Sequence, residues 1–166
     1  MCGIVGYIGN KSAAEVVINS LKKLEYRGYD SSGISVNCGG ELFTQKRAGK
    51  ISILDSVIDY ESLKLCTVGI GHTRWATHGE PSDLNAHPHC DCKNQLVIIH
   101  NGIIENYKDL KEVLVGKGHK FTSETDTEVV VHLIEHYNQE LPLLDADIKD
   151  LRSVEGADGR GVMSRE

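Results

Sequence analysis

Leu96-Val97-Ile98-Ile99 is an unbroken apolar run that passes straight into His100-Asn101-Gly102. A run of this kind reads as a buried strand. Further strand signals stand on its N-terminal side. Residues 2–9 are apolar and β-branched up to Gly9-Asn10. Ile34-Ser35-Val36 and Leu42-Phe43-Thr44 flank Asn37-Cys38-Gly39-Gly40, where the glycine pair supplies the positive φ angles of a tight hairpin turn. Cys66 to Gly71 reads as another strand. Helical patterns alternate with these runs. Asn10 can cap a helix whose apolar positions Ala14, Val17, Ile18, Leu21 and Leu24 follow a 3.6 period. A short helix is expected around 51–60, and an amphipathic one over about 106–116, stopped by Gly116 and Gly118. Thr125-Asp126-Thr127-Glu128 spaces a hydroxyl and a carboxylate as a capping box, opening a helix to about 138. A helix near 143–153 and a short segment at 157–163 follow. These strands outnumber what one helical layer could cover, so the expected class is α+β with layered antiparallel sheet.

The chain has 166 residues, 40% of them hydrophobic and 25% charged, which suffices for one core and a single domain over 1–166. A formal charge of −6 with dispersed lysines argues against nucleic acid, and no apolar stretch approaches a membrane span. The N-terminus lacks the basic-then-apolar pattern of an export signal, so the expected compartment is the cytoplasm. Five cysteines without an export signal read as reduced thiols, with Cys38 and Cys66 as small strand residues.

Cys2 carries the chemistry. Removal of Met1 would leave a thiol and a free α-amine on one residue, and an α-amine with a reference pKa near 7.7–8.0 is a far better proton acceptor near neutrality than lysine. Pairing a nucleophile with the N-terminal amine is a recognised route to covalent catalysis. Residues 73–90 have no usable period and are rich in His, Pro, Gly and Asn, as a functional loop would be. His87-Pro-His89-Cys90-Asp-Cys92 offers metal-ligand side chains, but at a spacing too tight for one tetrahedral centre, so no metal is expected there.

Cys2-Gly-Ile-Val-Gly6, Glu25-Tyr-Arg-Gly-Tyr-Asp-Ser31, Gly71-His-Thr-Arg-Trp-Ala-Thr-His-Gly79, Asn85-Ala-His-Pro-His89, His100-Asn-Gly-Ile-Ile-Glu-Asn106 and Ser123-Glu-Thr-Asp-Thr-Glu128 occur in that order. Together they resemble the N-terminal glutaminase domain of the glutamine–fructose-6-phosphate transaminases, from residue 2 to about 140. That family belongs to the N-terminal-nucleophile glutamine amidotransferases, whose fold is a four-layer αββα sandwich. The resemblance implies that processed Cys2 attacks the side-chain amide of L-glutamine, releasing ammonia and then glutamate, with no cofactor. It assigns the oxyanion hole to Asn101 and Gly102, and places Arg27 near the nucleophile. It assigns the glutamine α-carboxylate to Arg74 and the α-ammonium to Asp126. Trp75, Thr77, His78 and Gly79 match the loop that closes over glutamine. The planar fork of arginine suits a carboxylate, and an amide attack requires fixed donors at the developing oxyanion.

The partners implied are sugar isomerase domains that bind fructose-6-phosphate, which lie outside this sequence. Ending at Glu166, the chain is expected to lack later strands of the second sheet, exposing an apolar sheet face that invites self-association. Asp147, Asp150, Asp158 and Arg160 interrupt apolar positions, so the C-terminal stretch is expected in solvent. Three other readings stay open: the glutaminase half of an amidophosphoribosyltransferase, an inactive remnant acting as an interaction module, and a zinc-binding module.

Overall fold

The computed structural model describes residues 2–165. Removal of Met1 lies outside the described residues. Among the described residues, seven strands form two antiparallel sheets. The first contains β1 (Gly3–Ile8), β2 (Ser31–Cys38), β3 (Glu41–Ala48) and β4 (Val68–Arg74) in the order β1-β4-β2-β3. The second contains β5 (His89–Cys90), β6 (Leu96–Ile104) and β7 (Gly156–Ser164) in the order β5-β6-β7. Helices α1 (Ala13–Lys22), α2 (Ile51–Ser56) and α3 (Tyr60–Leu63) cover the first sheet. Helices α4 (Tyr107–Gly116), α5 (Glu128–Asn138) and α6 (Leu143–Leu151) cover the second. The four layers match the expected α+β sandwich.

Strand alternation assigns each side chain to a layer. Along β4, Gly69 and Gly71 face α1, and a Cβ on Gly71 would stand 2.4 Å from Val17 Cγ1. Ile70 points the other way, into a small core with Val97, Ile99 and Met163 between the sheets. Along β6, Ile98 and Ile104 pack with Val130 and Ile134 of α5, while Val97 and Ile99 face the first sheet. His72 and Arg74 therefore share a face with Ile70, and Asn101 shares one with Val97 and Ile99.

The hairpin turn falls at Gly39 and Gly40, with φ of +61° and +92°. Other local expectations shift. The cap of α1 is Ser12 rather than Asn10, because the helix opens only at Ala13, and Ser12 Oγ accepts from Glu15 N. Thr125 and Glu128 form no capping box. Glu128 instead accepts from the backbone N–H groups of Thr122 and Ser123 at 2.8 and 2.7 Å, and Thr125 Oγ1 lies 3.0 Å from His89 Nε2. Cys38 and Cys66 are joined in a disulfide rather than reduced, and Cys66 sits in the connection before β4.

The C-terminal stretch is built into the fold rather than left in solvent, the Asp158 side chain lying outside what the structure describes. β7 pairs with β6 from Gly156 to Ser164. Asp150 on α6 is fully buried and ion-paired with the buried Arg160 side chain on β7, with Asp147 Oδ1 3.3 Å from the same guanidinium. Pairing, rather than exposure, accommodates these charges. Nor does the second sheet present a bare apolar face, since helices cover one side and the first sheet the other. Exposed apolar side chains are scattered over several elements, among them Leu144, Ile148 and Leu151 on α6.

Candidate functional site

The register Gly3↔Thr73 sets Cys2 beside the end of β4. Trp75 N donates to Cys2 Sγ at 3.2 Å, and the same sulfur lies 3.7 Å from Trp75 O. From this point a cavity of about 460 Å³ opens between the ends of the two sheets. Cys2, Arg27, Arg74, Trp75, Thr77, Asn101, Gly102 and Asp126 all line it. They come from the residue before β1, the turn at Glu25–Arg27, the end of β4 and its following loop, β6, and the approach to α5. Gly102 has a φ of +152°, which only glycine adopts readily, and this lets β6 present its backbone at the cavity wall.

Arg74 divides its fork. Nη2 donates to the carbonyl oxygens of His78 and Gly79, the latter at 3.1 Å. Nη1 is buried and has no hydrogen-bond partner among the described residues. Burial pulls the Arg74 pKa down, and Asp30, Cys2 and Asp126 pull it back up. Asp30 also fixes the loop, accepting from Ala76 N at 2.5 Å while its own N–H donates to Arg74 O at 2.8 Å. Asp126 is aimed by a 2.7 Å hydrogen bond from Ile104 N to its Oδ2, and its Oδ1 lies 3.8 Å from His78 Nδ1. His78 and Gly79 sit behind Arg74 rather than on the cavity wall. Gly79, at φ +75°, could not carry a Cβ without approaching Asn85 Nδ2 to 2.7 Å.

A buried histidine cluster forms the floor. His72 and His87 stack with ring centroids 4.3 Å apart, and His89 meets His87 edge-on at 4.6 Å. His100 N donates to His87 Nδ1 at 3.2 Å, and His100 Nδ1 lies 3.0 Å from Thr127 Oγ1. Burial depresses the pKa of His72 to about 4 and pushes His87 and His89 well below the usual imidazole range. His72, His87 and His89 are therefore neutral near pH 7 and give the floor polar but uncharged rings. The run His87-Pro-His89-Cys90-Asp-Cys92 is dispersed: its histidines belong to this cluster, while Cys90 Sγ lies 3.9 Å from Thr44 Oγ1.

Sequence reasoning missed Asp30, His72, His87, His100, Thr125 and Thr127 as parts of this site. His72 was within reach of the period-2 rule, because it stands two residues before Arg74 and shares its face. Reading the strand only to Gly71 hid that relationship.

The family model for the glutamine amidotransferase domain matches residues 59–143. The chain is similar to glutamine–fructose-6-phosphate aminotransferase (isomerizing) of Pyrococcus horikoshii, 56% identical over 135 residues that span 81% of this chain and 22% of that protein. The namesake of Clostridium tetani is 50% identical over 166 residues, all of this chain and 27% of that protein. The chain thus spans about a quarter of the length of these curated relatives. Among solved structures, the glutamine phosphoribosylpyrophosphate amidotransferase of B. subtilis superposes with a TM-score of 0.83 at 28% identity, over 99% of this chain and 35% of that one. The match over more than half of the sequence, on the fold and cavity described, shows that the chain belongs to the glutamine amidotransferase domain family.

Proposed function

We propose that this chain carries the glutaminase half-reaction of amino-sugar synthesis, with Cys2 as nucleophile. The observation that carries the reading is the convergence of Cys2, Arg74, Asn101, Gly102 and Asp126 on one cavity. The glutamine α-carboxylate takes the unpartnered Nη1 of Arg74, and the α-ammonium takes the Asp126 carboxylate, so the side-chain amide extends toward Cys2. The sulfur attacks the amide carbon while the α-amine of Cys2, once Met1 is removed, accepts the thiol proton. Negative charge builds on the amide oxygen, which receives hydrogen bonds from Asn101 Nδ2 and Gly102 N. The proton returns to the departing nitrogen, the C–N bond breaks, and ammonia leaves a γ-glutamyl thioester. Water then attacks the thioester to give glutamate and the free thiol. Arg27 adds positive charge at the nucleophile. Trp75 and Thr77 cover the substrate, with Gly79 as the hinge of that loop.

Ammonia then serves the amination of fructose-6-phosphate by sugar isomerase domains, in the cytoplasm. The names of the relatives at 45–56% identity support this acceptor over phosphoribosylpyrophosphate, whose enzyme is 28% identical. The test is a glutaminase assay on protein whose N-terminus has been sequenced. Cys2→Ala is expected to abolish turnover while retaining glutamine binding, and Asp126→Ala to act mainly on KM. Undiminished turnover in Cys2→Ala would end the covalent scheme.

A further inference from the structure

On the far side of the second sheet from Cys2, four side chains from three separate segments converge. Cys92 comes from the β5–β6 connection, His119 from the turn after α4, and His132 and Glu135 from one face of α5 at i and i+3 spacing. One ligand atom from each lies within 4.8 Å of all the others. Cys92 Sγ is 3.9 Å from His119 Nδ1 and 3.7 Å from His132 Nδ1. Glu135 Oε2 is 2.9 Å from His119 Nδ1 and 3.2 Å from His132 Nδ1. We propose that Cys92, His119, His132 and Glu135 form a structural zinc site.

Four of the edges can be compared with those of a tetrahedron. With zinc–sulfur near 2.3 Å and zinc–nitrogen or –oxygen near 2.1 Å, the S···N edges come to about 3.6 Å and the N···O edges to about 3.4 Å. The four separations given above depart from these by about 0.1–0.5 Å, while the cluster as a whole spans up to 4.8 Å, so the side chains would draw together around the ion. One thiolate, two imidazoles and one carboxylate form a donor set that suits zinc better than the oxygen-seeking cations. All four corners are protein side chains, and a closed site of that kind is structural rather than catalytic. The surroundings are arranged as outer-shell support. Lys120 N donates to Cys92 Sγ at 3.4 Å, Cys92 N donates to Glu135 Oε2 at 3.3 Å, and His132 Nε2 lies 3.8 Å from Glu128 Oε1. The Phe121 ring packs on His132 with centroids 4.4 Å apart and excludes water from that side. His119, His132 and Glu135 are buried, whereas Cys92 is exposed and gives the ion a route in.

The site would pin the β5–β6 connection and the turn after α4 onto α5, the helix that follows Asp126 and Thr127 at the cavity. It does not depend on the glutaminase reading. Metal analysis of the chain after dialysis is expected to give about one zinc per chain. Stripping with a chelator should lower the thermal midpoint, and cobalt added to the stripped protein should give a thiolate charge-transfer band with the strong visible bands of a tetrahedral ion. Cys92→Ser and His119→Gln should each weaken binding at least about tenfold. Cys90→Ser, which changes the neighbouring thiol outside the cluster, should leave metal content unchanged. Wild-type protein with well under one equivalent and no cobalt–thiolate band would overturn the site, as would Cys92→Ser retaining both. If a variant fails to fold, wild-type stoichiometry and the cobalt spectrum decide the matter.

Discussion

His72 Nε2 stands 2.8 Å from Asn101 Oδ1, across the gap between β4 and β6. A neutral ring whose Nε2–H donates to the amide oxygen fixes the orientation of that amide, leaving the Asn101 NH₂ as the group free to donate into the cavity. His72 therefore positions the proposed oxyanion donor. His72→Phe keeps the ring packing against His87 but removes the hydrogen bond. It is expected to lower kcat by roughly tenfold to a hundredfold with KM little changed, less than the loss from Asn101→Ala. Steady-state glutaminase kinetics check this, and a variant with wild-type kcat would show that Asn101 orients itself.

That relationship also marks the limit of the sequence. The buried run Leu96–Ile99, the Gly39-Gly40 turn and the helical periods were local signals, and each element appears close to its expected place. The cavity-lining residues were legible only because their motifs resemble a family. What the sequence hid was tertiary. Nothing local reveals that Cys38 and Cys66, 28 positions apart, come to a Cα separation of 4.6 Å. Nothing local reveals that Cys92 faces His119 and His132 rather than His87 and His89. The charges at Asp150 and Arg160 read as surface residues because each, taken alone, is costly to bury, and only the pairing of α6 with β7 reverses that judgement.

The histidine floor makes stability depend on pH. His72 is fully buried, and burial takes its pKa from 6.5 to about 4, against the hydrogen bond to Asn101, which pulls it up. A depressed folded-state pKa means that the unfolded chain binds the proton first. The contribution is thus complete above pH 6.5 and is lost as pH falls toward 4. The full shift corresponds to roughly 3 kcal/mol for His72. Urea midpoints measured from pH 7.5 down to 4.5 should decline, and His72→Phe should decline less steeply. Parallel slopes for the two proteins would remove His72 from the account.

The thiols should titrate in two classes. Cys2, Cys90 and Cys92 are free, whereas Cys38 and Cys66 are paired. A thiol reagent under denaturing conditions should find three thiols before reduction and five after. A cross-link over 28 positions is worth roughly 3–4 kcal/mol through the entropy of the unfolded chain. Reduction should therefore lower the thermal midpoint, and five thiols in the unreduced protein would contradict the pairing.

The Asp150–Arg160 pair gives a prediction whose size depends on whether one partner or both are replaced. Burial raises the Asp150 pKa to about 6, with Arg160 pulling it down and Asp147 pushing it up. Its Oδ1 is buried with no hydrogen-bond partner among the described residues. Arg160→Met strands this carboxyl, and breaking a buried pair in this way costs about 3–5 kcal/mol. A raised folded-state pKa favours the neutral acid, so its contribution is complete below pH 3.8 and is lost as pH rises through 6. The destabilisation by Arg160→Met should accordingly be larger at pH 8 than at pH 5. Replacing both partners, as in Asp150→Leu with Arg160→Met, removes the stranded charge and should restore stability to near wild type. Urea unfolding at the two pH values distinguishes these outcomes. A double variant as unstable as Arg160→Met alone would show that β7 needs the guanidinium for more than neutralising Asp150.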